Sequence, residues 1–340
     1  MDAMVNHQGR QGRGSAQPFL AADVGGTHAR LALVRAHGRD VELIVYRKLA
    51  CGDHASLADL LRSFLKAEAT GPVRHCVLAC AGQVIDDQVI HDNLAWPIEL
   101  SALRAALGFD ELLVLNDFEA LGHALASADR LDTRLLCGPE VAATGPKLVV
   151  GPGTGLGAAV HLSNGSVIAT EAGQMDFAAQ TLREREVLAW LAPDGRYVPC
   201  ERLLSGPGLL TFYRTLCALN GASPGLDAPE AVTDAARRRT DANASEAVDL
   251  FCGALGSFAG NLAMDFMARG GVYLAGGFLS SMFDLLQRSD FAMRFRHGRS
   301  IRIFLEHVPV RVMEHGQQGV LGAARYYLDT VGPEERCGVA

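Results

Sequence analysis

From residue 19 onward, short apolar runs alternate with segments in which apolar residues recur every three or four positions. The runs lie near 19–22, 31–34, 77–80, 112–115, 148–150 and 272–275, each of strand length. Segments 57–69 and 118–128 carry helical spacing, and a final helix is predicted over 319–328. Strands and helices in alternation predict an α/β fold. Two stretches stand outside the pattern. Residues 1–17, rich in Gln, Gly and Arg, hold too few apolar side chains to order themselves and are expected to form a disordered tail. Residues 221–229, rich in Gly, Pro and Ala, read as a surface loop.

The most membrane-like stretch, 247–271, is interrupted by Asp249, Ser257, Asn261 and Asp265. It therefore lacks the span of about 18 apolar residues that crossing a bilayer requires. Its small residues, among them Gly253, Gly256 and Gly260, predict a soluble helix closely approached by another element. Each glycine inside a helix costs up to about 1 kcal/mol relative to alanine, which close packing must offset.

At 340 residues, 49% of them hydrophobic, the chain exceeds what a single core accommodates. Two domains are expected: a small α/β domain over 18–127, completed by a C-terminal helix over 316–331, and a large α/β domain over 128–315. The net charge of −7 supplies no field that would attract nucleic acid or an anionic membrane, so a small-molecule partner fits better. The eight cysteines are scattered and no leader precedes them, which reads as reduced thiols in a cytoplasmic protein. Cys76 and Cys80 are close enough in the chain that they could sit near each other, but no second Cys/His pair completes a zinc set.

Three glycine-bearing segments directly follow apolar runs: Asp23-Val24-Gly25-Gly26-Thr27, Gly151-Pro152-Gly153-Thr154-Gly155-Leu156-Gly157, and Ala275-Gly276-Gly277. Glycine lets the backbone approach a phosphate closely, so that successive N–H groups can point at one anion. In a dinucleotide fold or a P-loop the turn opens a helix. Here 30–34 and 158–162 are apolar runs that read as second strands, and Ser163-Asn164-Gly165 before 166–170 is a strong hairpin signal. Gly153-x-Gly155-x-x-Ala158 therefore only mimics a dinucleotide fingerprint, and no Gly-Lys-Ser/Thr follows any of the three segments.

Leu112-Leu113-Val114-Leu115 runs into Asn116-Asp117, after which the helical pattern starts. Ligands in open α/β sheets bind beyond the carboxyl ends of strands, yet Asp is also a common helix N-cap. Position alone leaves both roles open for Asp117. Glu171, Gln174 and Asp176 follow the second hairpin, and Glu201 precedes the Ser205-Gly206-Pro207-Gly208 turn. Carboxylates and amides are what sugar hydroxyls need, since each hydroxyl donates and accepts. A solvated surface group is the plainer reading for any one of them.

Taken together, the run from Asp23 to Leu33, Leu115-Asn116-Asp117-Phe118, the Gly151 to Gly157 segment, Glu201-Arg202-Leu203-Leu204-Ser205-Gly206-Pro207-Gly208 and Leu274-Ala275-Gly276-Gly277 resemble the bacterial glucokinase family. The resemblance covers nearly everything from residue 19 to 328. It implies a two-domain actin-like (hexokinase-type) ATPase fold with an interdomain cleft, ATP as phosphoryl donor, glucose as acceptor at its 6-hydroxyl, and a homodimer. By motif, it places Gly25, Gly26, Thr27, Gly153, Thr154 and Gly155 on the ATP phosphates, Gly276 and Gly277 on the adenosine side, and Asp23 on Mg²⁺ through water. The sugar-contacting positions fall on Asn93, Asn116, Asp117, Glu171, Gln174 and Glu201, with Asp117 the base, aligned by Asn116. Three departures stand out: Gln174 replaces the family histidine in Glu-Gly-Gly-His, His28 replaces an asparagine, and Gln83 a proline. A kinase for another hexose, a sugar-binding regulator without turnover and a DNA-binding repressor are the alternatives, the last weakened because 1–17 is too short for a helix-turn-helix.

Overall fold

Strand β1 (Phe19–Val24) is buried except at Asp23, and it pairs antiparallel with β2 (His28–His37) across the turn at 25–27. Strand β2 pairs in turn with β3 (Asp40–Ala50). On its other side β1 runs parallel to β4 (His75–Cys80). Three short strands, β5 (Gln83–Ile85), β6 (Gln88–Ile90) and β7 (Ile98–Glu99), make a small separate sheet, and β8 (Glu111–Asn116) completes the main one in the order β3-β2-β1-β4-β8. Helix α1 (Leu57–Glu68), capped by the Ser56 hydroxyl accepting from the Asp59 N–H at 3.1 Å, buries Leu57, Leu60, Leu61 and Phe64 in the core with Leu20, Leu31 and Leu78. A second helix, α2 (Leu100–Leu107), packs beside α1 and ends at Gly108 in the left-handed region. These elements belong to a computed structural model that describes residues 17–37, 40–90, 95–298, 300–314 and 316–331. The expected tail falls almost wholly outside these residues.

The chain divides into two compact units, one formed by Met1–Leu115 with Ala323–Ala340 and the other by Asn116–Gly322. The change of unit at 115/116 lies twelve residues before the boundary expected at 127/128. Its cause is helix α3 (Asp117–Ala124), which packs on the second sheet. The helix predicted over 118–128 also breaks: α3 gives way to a 3-10 turn, Leu125–Arg130, kinked at Ser127.

The second sheet contains β9 (Thr133–Cys137), β10 (Lys147–Pro152), β11 (Leu156–His161), β12 (Val167–Thr170), β13 (Val272–Leu274) and β14 (Val310–Met313), ordered β12-β11-β10-β13-β14-β9. Strands β10 and β11 form the expected antiparallel hairpin, and Gly165, at a positive φ of 93°, turns β11 into β12. The helices are α4 (Leu182–Leu191), α5 (Gly206–Leu219), α6 (Pro229–Arg238), α7 (Ala242–Asp265), α8 (Gly277–Ser281), α9 (Phe283–Arg288), α10 (Phe291–Phe295), α11 (Arg302–Glu306) and α12 (Gln318–Thr330). Helix α7 is long and apolar enough to cross a membrane, but 78% of its most apolar window is buried inside the fold. The element its glycines admit is α10: a Cβ at Gly256 or Gly260 would lie 2.4 Å from the carbonyl oxygen of Phe291 or Phe295. Near the change of unit at 322/323, Tyr327 of α12 stacks on Phe19 of β1 at 4.2 Å.

Candidate active site

Of the four glycines in the 151–157 segment, the family resemblance places Gly153 and Gly155 on the ATP phosphates, and the packing divides the four differently. Gly151 and Gly157 face each other across the β10–β11 register. A Cβ on Gly157 would lie 2.0 Å from the Phe118 ring, and one on Gly151 would lie 2.8 Å from the same ring. A Cβ on Gly155 would lie 2.3 Å from the Glu201 Oε2 atom. Only Gly153 has open space, with nothing within 4 Å. Gly153 and Thr154 are exposed. The turn is tied from behind by the Gly153 N–H donating to the Gly155 carbonyl at 2.8 Å and the Gly206 N–H donating to the Gly153 carbonyl at 2.8 Å. The second of these bonds uses the Ser205-Gly206-Pro207-Gly208 turn, whose buried Ser205 caps α5.

Asn116 and Asp117 sit where β8 ends and α3 begins. The cap role left open for Asp117 belongs to Asn116, whose Oδ1 accepts from the Phe118 N–H at 2.8 Å and the Glu119 N–H at 3.3 Å. Asp117 is the first residue of the helix and is half-buried. Its Oδ1 accepts the Phe118 N–H at 2.9 Å.

Glu201, in the 3-10 turn Cys200–Arg202, links two parts of this surface. Its Oε2 accepts from the Leu156 N–H at 2.9 Å and its Oε1 from the Gln174 side-chain amide at 3.4 Å. Gln174 ends a 3-10 turn, Ala172–Gln174, whose Gly173 lies where a Cβ would come within 2.1 Å of the Leu156 carbonyl oxygen. Glu171 precedes that turn and is exposed, its carbonyl accepting the Gln174 N–H at 2.9 Å. The Tyr197 hydroxyl donates to the Gln174 carbonyl. Asp176, grouped with these residues in sequence, instead accepts the Val198 N–H at 3.2 Å and joins an isolated bridge to Pro199. Gly276, at a φ of 108°, is the residue just before α8 and lies beside Pro152 at the end of β10. Gly277 is the first residue of α8.

In the first unit, the Gly25 N–H closes the β1–β2 turn on the His28 carbonyl at 3.0 Å, while Gly26 and Thr27 are exposed. Asp23 pairs with Arg30, directly opposite in register, at 3.4 Å, their side chains 20% and 15% exposed. Burial pushes the Asp23 carboxyl above the ordinary aspartate value, and the Arg30 charge opposes that rise. Asn93 lies outside the described residues.

A strand–glycine–strand hairpin leading into a second strand excludes the dinucleotide fingerprint, and the glucokinase family profile matches residues 20–330. The chain belongs to the glucokinase family. A glucokinase-like protein of Xylella fastidiosa is 43% identical over 318 residues, covering 92% of this chain and 95% of that protein. The glucokinase of Neisseria gonorrhoeae is 36% identical, covering 90% and 94%. The crystal structure of a glucokinase from an Antarctic psychrotroph superposes with a TM-score of 0.79 at 29% identity, covering 91% of this chain and 98% of that one. The two-domain fold of glucokinases is thus the fold of this chain. Within the second unit of this glucokinase-family protein, the contacts of Leu156, Gln174 and Glu201 and the seat of Phe118 bring the Asn116–Asp117, Glu171–Gln174 and Glu201 positions onto one hairpin. Sequence reasoning missed the work of Phe118, although two glycines six positions apart at a hairpin are a signal that a bulky group lies over them.

Proposed function

We propose that this glucokinase-family protein transfers the γ-phosphoryl group of ATP to the 6-hydroxyl of glucose, with Asp117 as general base. The observation that carries the assignment is the cap of α3. Asn116 accepts from both the Phe118 and Glu119 N–H groups as the cap of α3, and Asp117, whose Oδ1 shares the Phe118 N–H, stands beside it as the first residue of the helix at the end of β8. The sugar oxygen attacks the γ-phosphorus as its proton passes to the Asp117 carboxylate, the bond to the bridging oxygen breaks, and ADP leaves. Asn116, Glu171, Gln174 and Glu201 orient the sugar, and Asn93 is assigned with them by motif alone.

Backbone N–H groups around Gly25, Gly26 and Thr27 and around Gly153, Thr154 and Gly155 are assigned to the phosphates, and Gly276 and Gly277 to the adenosine side. Mg²⁺ would neutralise charge on the β- and γ-phosphates, with Asp23 touching it through water. The donors fit that role and no stronger one: a single carboxylate facing Arg30 cannot cage an ion, and no group of three ligating side chains lies together among the described residues. Magnesium carried on substrate phosphates keeps several waters and needs only one or two protein carboxylates. A cytoplasmic homodimer belongs to the same proposal, on the family resemblance.

A regulator without turnover is disfavoured because Asn116, Asp117, Glu171 and Glu201 are all present. The test is ADP release with Mg-ATP against glucose, mannose, fructose, N-acetylglucosamine and N-acetylmannosamine. Glucose turnover is expected. Silence across the panel with sugar binding intact overturns the enzyme reading, whereas turnover with another sugar alone moves the specificity and keeps the mechanism. Asp117→Asn is expected to lower kcat by roughly 10²–10⁴-fold with little change in glucose affinity, as loss of a general base does. Near-normal kcat in that variant removes the base assignment.

A further inference from the structure

We infer that Phe118 is a positioning residue: its ring, seated in the slot left by Gly151 and Gly157, holds the Asp117 carboxylate in register with the glycine turn at 153–155. The inference rests on the reading of Asp117 as base. Gly151 and Gly157 lie opposite each other on adjacent strands, and neither takes a positive φ, so backbone conformation does not require glycine at either place. The missing side chains are what matters. A Cβ on Gly157 would stand 2.0, 2.2 and 2.4 Å from three carbons of the Phe118 ring, and one on Gly151 would stand 2.8 Å both from its tip and from the Ala275 carbonyl oxygen. Phe118 packs against the buried cluster that contains Leu125, Val149, Ala159 and Ala275.

The seat lies next to the chemistry. The Phe118 N–H donates to both Asn116 Oδ1, at 2.8 Å, and Asp117 Oδ1, at 2.9 Å, so the backbone between ring and carboxylate is fixed. Farther along α3, Gly122 lies flat on the same sheet, where a Cβ would meet Val167 at 2.6 Å and Ala159 at 3.3 Å. Gly122 sets how closely the helix lies on the sheet. Phe118 sets where its first turn sits along the hairpin. Displacing a reacting group by about 1 Å costs roughly 10²-fold in rate, so the seat acts on kcat rather than on binding.

The experiment compares Phe118→Leu, Gly157→Ala and the double variant F118L/G157A with Asp117→Asn, reading kcat, both KM values and thermal midpoint. Phe118→Leu is expected to lower kcat by roughly 10–100-fold with the KM for glucose and Mg-ATP within about threefold. Gly157→Ala, which pushes the ring out, should reproduce that pattern. With the ring already gone the added methyl has little left to displace, so the double variant should match Phe118→Leu rather than multiply the two losses. A lowered midpoint with wild-type kcat for the folded enzyme in both single variants overturns the inference, as does multiplicative loss in the double. If Asp117→Asn also turns over normally, the base assignment falls with it; if Asp117→Asn is inactive while the other variants are normal, only the role of Phe118 falls.

Discussion

In the β1–β2 hairpin the glycine turn is closed by its own Gly25–His28 bond and by Cys51, whose N–H donates to the Thr27 carbonyl at 2.9 Å, and the tip faces outward. In the β10–β11 hairpin three of four glycines are occupied from outside the hairpin, two by the Phe118 ring and one by the Glu201 carboxylate. The two segments look alike in sequence, each a strand, a glycine turn and a second strand. The first places its charged group within the strand itself, as the Asp23–Arg30 pair, while the second obtains its polar groups by admitting neighbours where side chains are missing. A glycine-rich turn is therefore not one kind of site. Whether a glycine serves a ligand or a neighbour is decided by what its absent Cβ would strike.

The largest test of that contrast lies within the second hairpin. Gly155→Ala forces the Glu201 carboxylate away from a point 2.3 Å off and breaks its bond to the Leu156 N–H. The clash falls on the end of a flexible side chain, so the carboxylate swings away from the site. Loss of a hydrogen bond to a charged group, about 1.5–3 kcal/mol, corresponds to a loss of roughly 10- to 150-fold in kcat/KM for glucose. Gly153→Ala meets nothing within 4 Å, so glucose KM should stay within about twofold and any effect should fall on the KM for Mg-ATP. Steady-state kinetics on both variants decides the matter. Equal effects on glucose from the two alanines would mean that the spatial division among the glycines has no functional weight.

A smaller effect is expected from the first hairpin. Asp23→Asn should raise the KM for Mg-ATP by roughly 10-fold, as loss of a partner acting through water does, and leave glucose KM unchanged. The pH dependence follows from the direction of its shift. Burial holds the Asp23 carboxyl above the ordinary aspartate value, so the folded protein protonates it before an unfolded chain would as pH falls. The cost of keeping the buried carboxylate charged is present above the folded pKa and is relieved as pH drops through it. Acidification should therefore remove the charge, raising Mg-ATP KM, while easing this group's burden on stability. Asp23→Asn should abolish that acid limb of the Mg-ATP KM profile. An identical limb in the variant would assign the titration to another group.

Much of the frame could be read from local pattern. The runs at 19–22, 77–80, 148–150 and 272–275 are strands, and Asn164-Gly165 turns β11 into β12 as its dipeptide predicts. What escaped depended on partners distant in the chain. Phe118 finds its slot 33 and 39 residues away, at Gly151 and Gly157, and Glu201 reaches back to Leu156 across 45 residues. No window of sequence contains those contacts. The end of the first unit was misplaced for the same reason, since the helical spacing of α3 reveals an apolar face but not which sheet it covers. The capping role of Asn116 was equally hidden, because Asn and Asp both cap helices well; Asn116 shares the Phe118 N–H with Asp117 and is marked as the cap by also accepting the Glu119 N–H.

The smallest expected effect concerns Gln174, where the family carries histidine. The backbone there is held from three sides: the Gln174 N–H donates to Glu171, the Tyr197 hydroxyl donates to the Gln174 carbonyl, and Gly173 lies against Leu156. Gln174→His therefore changes a side chain on a fixed base and leaves the turn alone. The glutamine donates to Glu201 Oε1 at 3.4 Å, and a neutral imidazole N–H can make the same donation. Above about pH 7 the variant should match the wild type within roughly threefold in glucose KM. Below it, a protonated imidazole beside the Glu201 carboxylate introduces a charge that glutamine cannot carry. The ratio of the two KM values should then depart from unity as pH falls through the histidine range near 6.5. Measuring glucose KM for both proteins across that range separates two explanations of the departure from the family. A ratio that changes only on protonation makes Gln174 a neutral substitute whose effect is confined to acid conditions. A large, pH-independent change makes residue 174 a determinant of which sugar is accepted, through the different reach of amide and imidazole.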